Sequence, residues 1–81
     1  STAYQLATKL KAKGRANGQD IVVLDKGAAD GVEPGFIFDL YKAASYKGQV
    51  RIQSVLEHTS YGALLNEKNA IAPGDSATTQ L

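Results

Sequence analysis

His58 is the chain's one histidine, and it sits among Glu57, Thr59 and Ser60. With an aspartate brought in by folding, Ser60 and His58 would supply a nucleophile, a base and an orienting acid. Neighbours on an extended chain point to opposite faces, however, so this cluster is expected to be a polar turn between two strands. Asp25, Asp30 and Glu33 raise the possibility of a calcium loop. An EF-hand loop starting at Asp25 needs oxygen ligands at its third and fifth positions and glycine at its sixth, where this chain has Gly27, Ala29 and Asp30. The pattern fails, and Asp-Gly turn chemistry accounts for the same residues. The glycines spell neither G-x-x-x-x-G-K-[ST] nor G-x-G-x-x-G, so no phosphate cradle is read. Positive φ in turns is the expected reason for Gly27, Gly31 and Gly35. No cofactor and no metal is implied, and catalysis is not expected.

Two groups of residues are better suited to binding than to catalysis. Lys9, Lys11, Lys13 and Arg15 recur at every second position, which on a regular strand puts the four cations on one face. A small barrel carrying such a strand could recruit phosphates, with Tyr4, Tyr41, Tyr46 or Tyr61 stacking on bases. The stripe itself contains no aromatic residue, and lysines along an exposed strand also guard against edge-to-edge aggregation. Tyr41 and Tyr46, with Lys42 and Lys47 beside them, flank a short polar stretch. Their amphipathic rim is the expected partner-binding surface, facing a protein or a glycan.

These residues must be held by strands. Asp20 to Asp25 is an apolar, β-branched run bounded by Asn17-Gly18 and Lys26-Gly27, which predicts a buried strand. Asn-Gly favours a tight hairpin, so Lys9 to Arg15 is the expected antiparallel partner. The first eight residues admit three readings. Ala3, Leu6, Ala7 and Leu10 fall at helical spacing, yet a strand or a linker fits the same stretch. From Gly27 to Gly35 the glycines, Asp30-Gly31 and Pro34-Gly35 specify turns, with Pro34-Gly35 suited to the centre of a type II turn. Strands follow at Phe36 to Tyr41 and at Gln49 to Glu57, separated by a loop at 42–48. The second should bulge near Gln53-Ser54, because Val55 breaks its alternation. Further strands are expected at Tyr61 to Leu65 and Asp75 to Gln80.

An internal repeat organises these elements. Val32-Glu33-Pro34-Gly35 and Ile71-Ala72-Pro73-Gly74 share the pattern apolar-x-Pro-Gly at an offset of 39 residues, and at that offset Gly27 and Asp30 match Asn66 and Asn69. Two copies of strand–turn–strand–turn–strand predict a mainly β fold: a small, six-stranded, partly closed barrel with pseudo-twofold symmetry. The chain would divide into a segment or linker at 1–8 and one barrel domain at 9–81.

Bulk properties set the bounds. Eighty-one residues allow one domain with a thin stability margin. Without cysteine, and with a single histidine, neither a disulfide nor a structural zinc site can brace it. The formal charge of +1 divides into +4 over residues 1–15 and −3 over the remainder, so there is no overall pull toward nucleic acid or an acidic membrane. No apolar run is long enough to span a bilayer. A start at Ser1 with no methionine fits an excised or processed fragment, and removal of an initiator Met before Ser would look the same.

Asp25–Gly35 (DKGAADGVEPG) followed by FIFDLY, and GQVRIQSVLEHTSYGALL followed by IAPGD, resemble the β-rich domain that accompanies LysM peptidoglycan-binding modules in bacterial envelope proteins. The chain is also similar, less specifically, to the C-terminal domain of the flagellar protein FlgT and to the β-barrels of the rod-shape protein MreC. The resemblance covers about residues 20–76 and rests on turn glycines and apolar positions. It implies a non-catalytic interaction or scaffolding domain, in the periplasm or cell envelope, whose partner is an envelope protein or peptidoglycan. The LysM motif itself is missing, so no glycan-binding residue is carried over. The alternative from the residues alone is an OB-like or SH3-like barrel that binds nucleic acid through Lys9 to Arg15.

Overall fold

A computed structural model describes residues 5–79. Six antiparallel strands, β1 (Ala7–Ala16), β2 (Gln19–Leu24), β3 (Ile37–Lys42), β4 (Ser45–Val55), β5 (Ser60–Glu67) and β6 (Ser76–Thr79), close in the order β1-β2-β5-β4-β3-β6. Closure is complete where partial closure was expected, because β6 pairs with both β1 and β3. The core is filled by inward side chains from every wall, chiefly Leu10, Val22, Leu24, Phe38, Leu40, Val50 and Ile52. Val32 and Ile71, the apolar members of the two repeated turns, are buried in the same cluster.

The repeat is built into the hydrogen bonding. β1 pairs with β6 as Ala7↔Thr78, Thr8↔Ala77 and Lys9↔Ser76, and β4 pairs with β3 in the matching register, Gln49↔Asp39, Val50↔Phe38 and Arg51↔Ile37. Leu10 and Ile52 are equivalent: the N–H of Gly74 donates to Leu10 O and that of Gly35 to Ile52 O, each at 2.8 Å. Gly35 and Gly74 take φ of 94° and 93°, the left-handed geometry that glycine adopts most easily after the proline. Each long strand bulges just beyond this point, between Leu10 and Ala12 in β1 and between Ile52 and Ser54 in β4.

Several expectations need correction. Ala7 and Thr8 belong to β1, so the possible helix over 1–8 does not form among residues 5–8, and residues 1–4 lie outside the described chain. The strand wins because Ala7 and Thr8 find partners on β6. The loop expected at 42–48 is only a two-residue turn, with Ala43 at φ 52°, between Lys42 and Ser45, and β4 starts at Ser45. Gly27 has φ −143°, so positive φ is not its role. A Cβ there would run into the carbonyl oxygens of Leu56 and Thr59, so the requirement is close backbone approach. Asn17 and Gly18, at φ 53° and 77°, make the expected tight hairpin turn. Asp30 closes its own turn by accepting the Gly27 N–H at 3.1 Å, ahead of Gly31 at φ 91°. Among the described residues no helix is long and apolar enough to cross a membrane.

Candidate functional site: the β1–β2 arm and its groove

β1 is longer than the strand that closes the barrel against it. Its pairing with β6 covers Ala7 to Lys9, and the backbone of Leu10 bonds to Gly74 and Asp75. From Lys11 to Ala16 it pairs with β2 alone, and no other described backbone group bonds its far edge. The orientation of that edge follows from the turn. A two-residue hairpin makes its flanking pair, Ala16↔Gln19, hydrogen-bonded, and alternation then gives Gly14↔Ile21 and Ala12↔Val23 the same role. The N–H and C=O groups of Lys13 and Arg15 therefore point away from β2, along a free edge.

The bulge at Lys11 also redistributes the cations. Before it, Leu10 faces the core and Lys9 faces out. Beyond it, Lys13 lies opposite the core residue Val22, and Arg15 lies opposite Asp20. Cross-strand partners share a face. Lys13 and Arg15 are thus on the concave side and Lys9 on the convex side, so the expectation of four cations on one face is not met. Arg15 is held by Asp20 Oδ1 at 2.8 Å and by Gly18 O at 2.6 Å. Lys13 has no ion pair among the described residues.

The concave side of the arm overhangs a groove of about 300 Å³. The arm contributes Lys13, Gly14, Arg15 and Asp20, and the opposite wall is Leu64, Glu67 and Ile71. Glu67 is occupied, its Oε2 accepting the Ile71 N–H at 2.9 Å. Comparison of the two repeats explains why the groove exists. At the other end of the barrel Val55 stands where Lys13 stands here and packs against the core. There Ala28 and Ala29 donate to Leu56 O and Glu57 O, so the loop seals the end of β4. Lys68 is the repeat equivalent of Ala29, yet its N–H, like that of Asn69, donates to Lys47 O instead. The second loop is drawn toward β4, and the end of β1 is left uncovered.

Lys47 is the centre of that attraction. Its Nζ lies 3.3 Å from Asp75 Oδ2, with side-chain exposures of 12% and 4%, and also donates to Ala70 O. Of the rim expected to meet a partner, Lys47 is therefore committed to the fold, Lys42 is exposed, and Tyr41 and Tyr46 are half-buried. The two tyrosine rings pack edge to face, 5.6 Å apart. Tyr46 is further tied into a polar ladder on the outer surface, where its OH donates to Asn66 Oδ1, Asn66 Nδ2 to Gln49 Oε1, and Gln49 Nε2 to Asp39 Oδ1. The imagined Ser60–His58 pair is not assembled: the Ser60 hydroxyl is fully buried without a hydrogen-bond partner, and His58 is exposed beside Glu57. Asp30 serves its turn, and the remaining turn residues Pro34 and Pro73 lie exposed, each just before its left-handed glycine.

Compared with known proteins, the chain matches no family model, no curated protein and no solved structure.

Proposed function

We propose that the chain is a non-catalytic interaction module of a bacterial cell-envelope protein, and that it captures a partner segment in extended form along the free edge of β1. The observation that carries this reading is the stretch from Lys11 to Ala16, which pairs with β2 alone and lies over a groove. Backbone groups on such an edge bind an added strand by the same ladder that joins two strands of a sheet. The envelope setting is supported by the resemblance of residues 20–76 to domains that accompany LysM modules, with an envelope protein or peptidoglycan as the wider partner.

The test is an amide NMR titration of the intact chain with an extended peptide of alternating threonine and valine, and separately with solubilised peptidoglycan fragments. Peptide-induced shifts at Lys11 to Ala16, lost in Lys13→Pro, support the reading. Proline at this position removes a donor from the free edge without taking one from the β1–β2 ladder. Shifts confined to residues 41–47 with either probe would move the contact surface to the tyrosine corner and overturn the edge assignment.

A further inference from the structure

The groove contains more chemistry than a bare strand edge. The free edge carries two lysines, Lys11 and Lys13, and among the described residues neither has an ion pair. Both acidic groups of the groove are already engaged, Asp20 by Arg15 and Glu67 by the Ile71 N–H. Beneath Lys13 the wall turns apolar at Leu64 and Ile71. The sealed end of the barrel shows what satisfies such a place, since there backbone N–H groups bond to the end of β4 and Val55 fills the position of Lys13.

We propose that the groove recognises an acidic, apolar peptide segment. In extended form it would bond to the backbone of Lys13 and Arg15, place a carboxylate against Lys13, and lay an apolar side chain on Leu64 and Ile71. This rests on the edge-binding reading above and specifies its ligand. Residues two apart on a strand share a face, so a segment with a carboxylate at one position and an apolar residue two further on presents both to the groove, against Lys13 and against Leu64 and Ile71. Lys13 decides the sign: of the charged residues that line the groove, Arg15 and Asp20 pair with each other and the Glu67 carboxylate accepts the Ile71 N–H, which leaves the Lys13 ammonium without an ion pair among the described residues.

The experiment titrates the labelled intact chain at low salt with three short peptides in which every second residue is serine and the groove-facing pair is glutamate–valine, lysine–valine or glutamate–serine. The glutamate–valine peptide should shift the amides of Lys11 to Ala16 together with the methyl groups of Leu64 and Ile71. It should bind about fivefold more tightly than the lysine–valine peptide, the upper range for one exposed ion pair, and Lys13→Glu should reverse that order. Loss of binding with glutamate–serine supports the apolar requirement. Equal binding of the glutamate–valine and lysine–valine peptides, with Lys13→Glu silent, overturns the acidic specificity but leaves the edge reading standing. If none of the peptides, threonine–valine included, moves the Lys11 to Ala16 amides, both fail. Shifts of Lys9, Lys11 and Lys13 with single-stranded DNA but not with peptide would replace the proposal with a nucleic-acid surface.

Discussion

Lys47 holds its ammonium where solvent barely reaches, against Asp75 and the Ala70 carbonyl. Removing one member of a buried pair leaves the other charged and uncompensated, so Lys47→Met should lower stability by about 3–5 kcal/mol. That is a large share of the roughly 5–15 kcal/mol that holds a whole domain. Chemical denaturation reads the loss, and the double variant with Asp75→Asn should recover part of it. Ser60 predicts the opposite sign. Its hydroxyl is buried in the barrel without a partner, so Ser60→Ala relieves an unmet polar group and should raise stability by about 1 kcal/mol, read as a higher unfolding midpoint. Neither role was legible beforehand. A lysine between a tyrosine and a glycine in a polar stretch has the local signature of a surface loop, and its partner Asp75 lies in the other repeated turn. Ser60 looked like turn chemistry because His58 and Thr59 precede it, whereas register places it opposite the core residue Leu24.

At the scale of elements, the two bulges show what a pattern can and cannot reveal. In β4 an apolar residue, Val55, falls out of alternation, and the bulge could be located from that alone. The equivalent bulge in β1 was invisible because Ala12 and Gly14 follow Leu10, side chains too small to signal which face is buried. The lysines therefore looked regular although the strand is not. The turns were more legible: Asn17-Gly18, Pro34-Gly35 and Pro73-Gly74 each need a particular backbone geometry, and each adopts it. Gly27 and Gly14 provide a matched test of the loop that seals the second repeat. Gly27→Ala drives a Cβ into the Leu56 and Thr59 carbonyls and should cost about 1–3 kcal/mol, as overpacking does. A Cβ on Gly14 meets open space, so Gly14→Ala should change stability by less than about 0.5 kcal/mol. Thermal unfolding of the two variants side by side distinguishes them.

The whole molecule is two copies of one unit that cannot stand alone. Within either half the third strand finds no partner: β3 pairs with β4 and β6, and β6 with β1 and β3. Each half keeps a single hairpin, which is marginal in water. Chains cut between Ala43 and Ala44 should therefore be unfolded separately and regain strand structure when mixed, as circular dichroism would show. The symmetry of the sequence was visible in the turns, and it gave the number of strands. Strand order and full closure depend on β6 bridging β1 and β3, long-range pairings that no local pattern records. Where the copies differ, with Val55 in one and Lys13 in the other, the barrel has one sealed end and one open groove, and the binding account depends on that difference.

The free edge is measured most directly by amide hydrogen exchange along β1 in the chain alone. Ala12 and Gly14, bonded to β2, should exchange slowly, while Lys13 and Arg15, between and beside them, exchange at rates near those of exposed amides. Protection of Lys13 and Arg15 equal to that of Gly14 would mean that the edge is already covered, and would contradict the account.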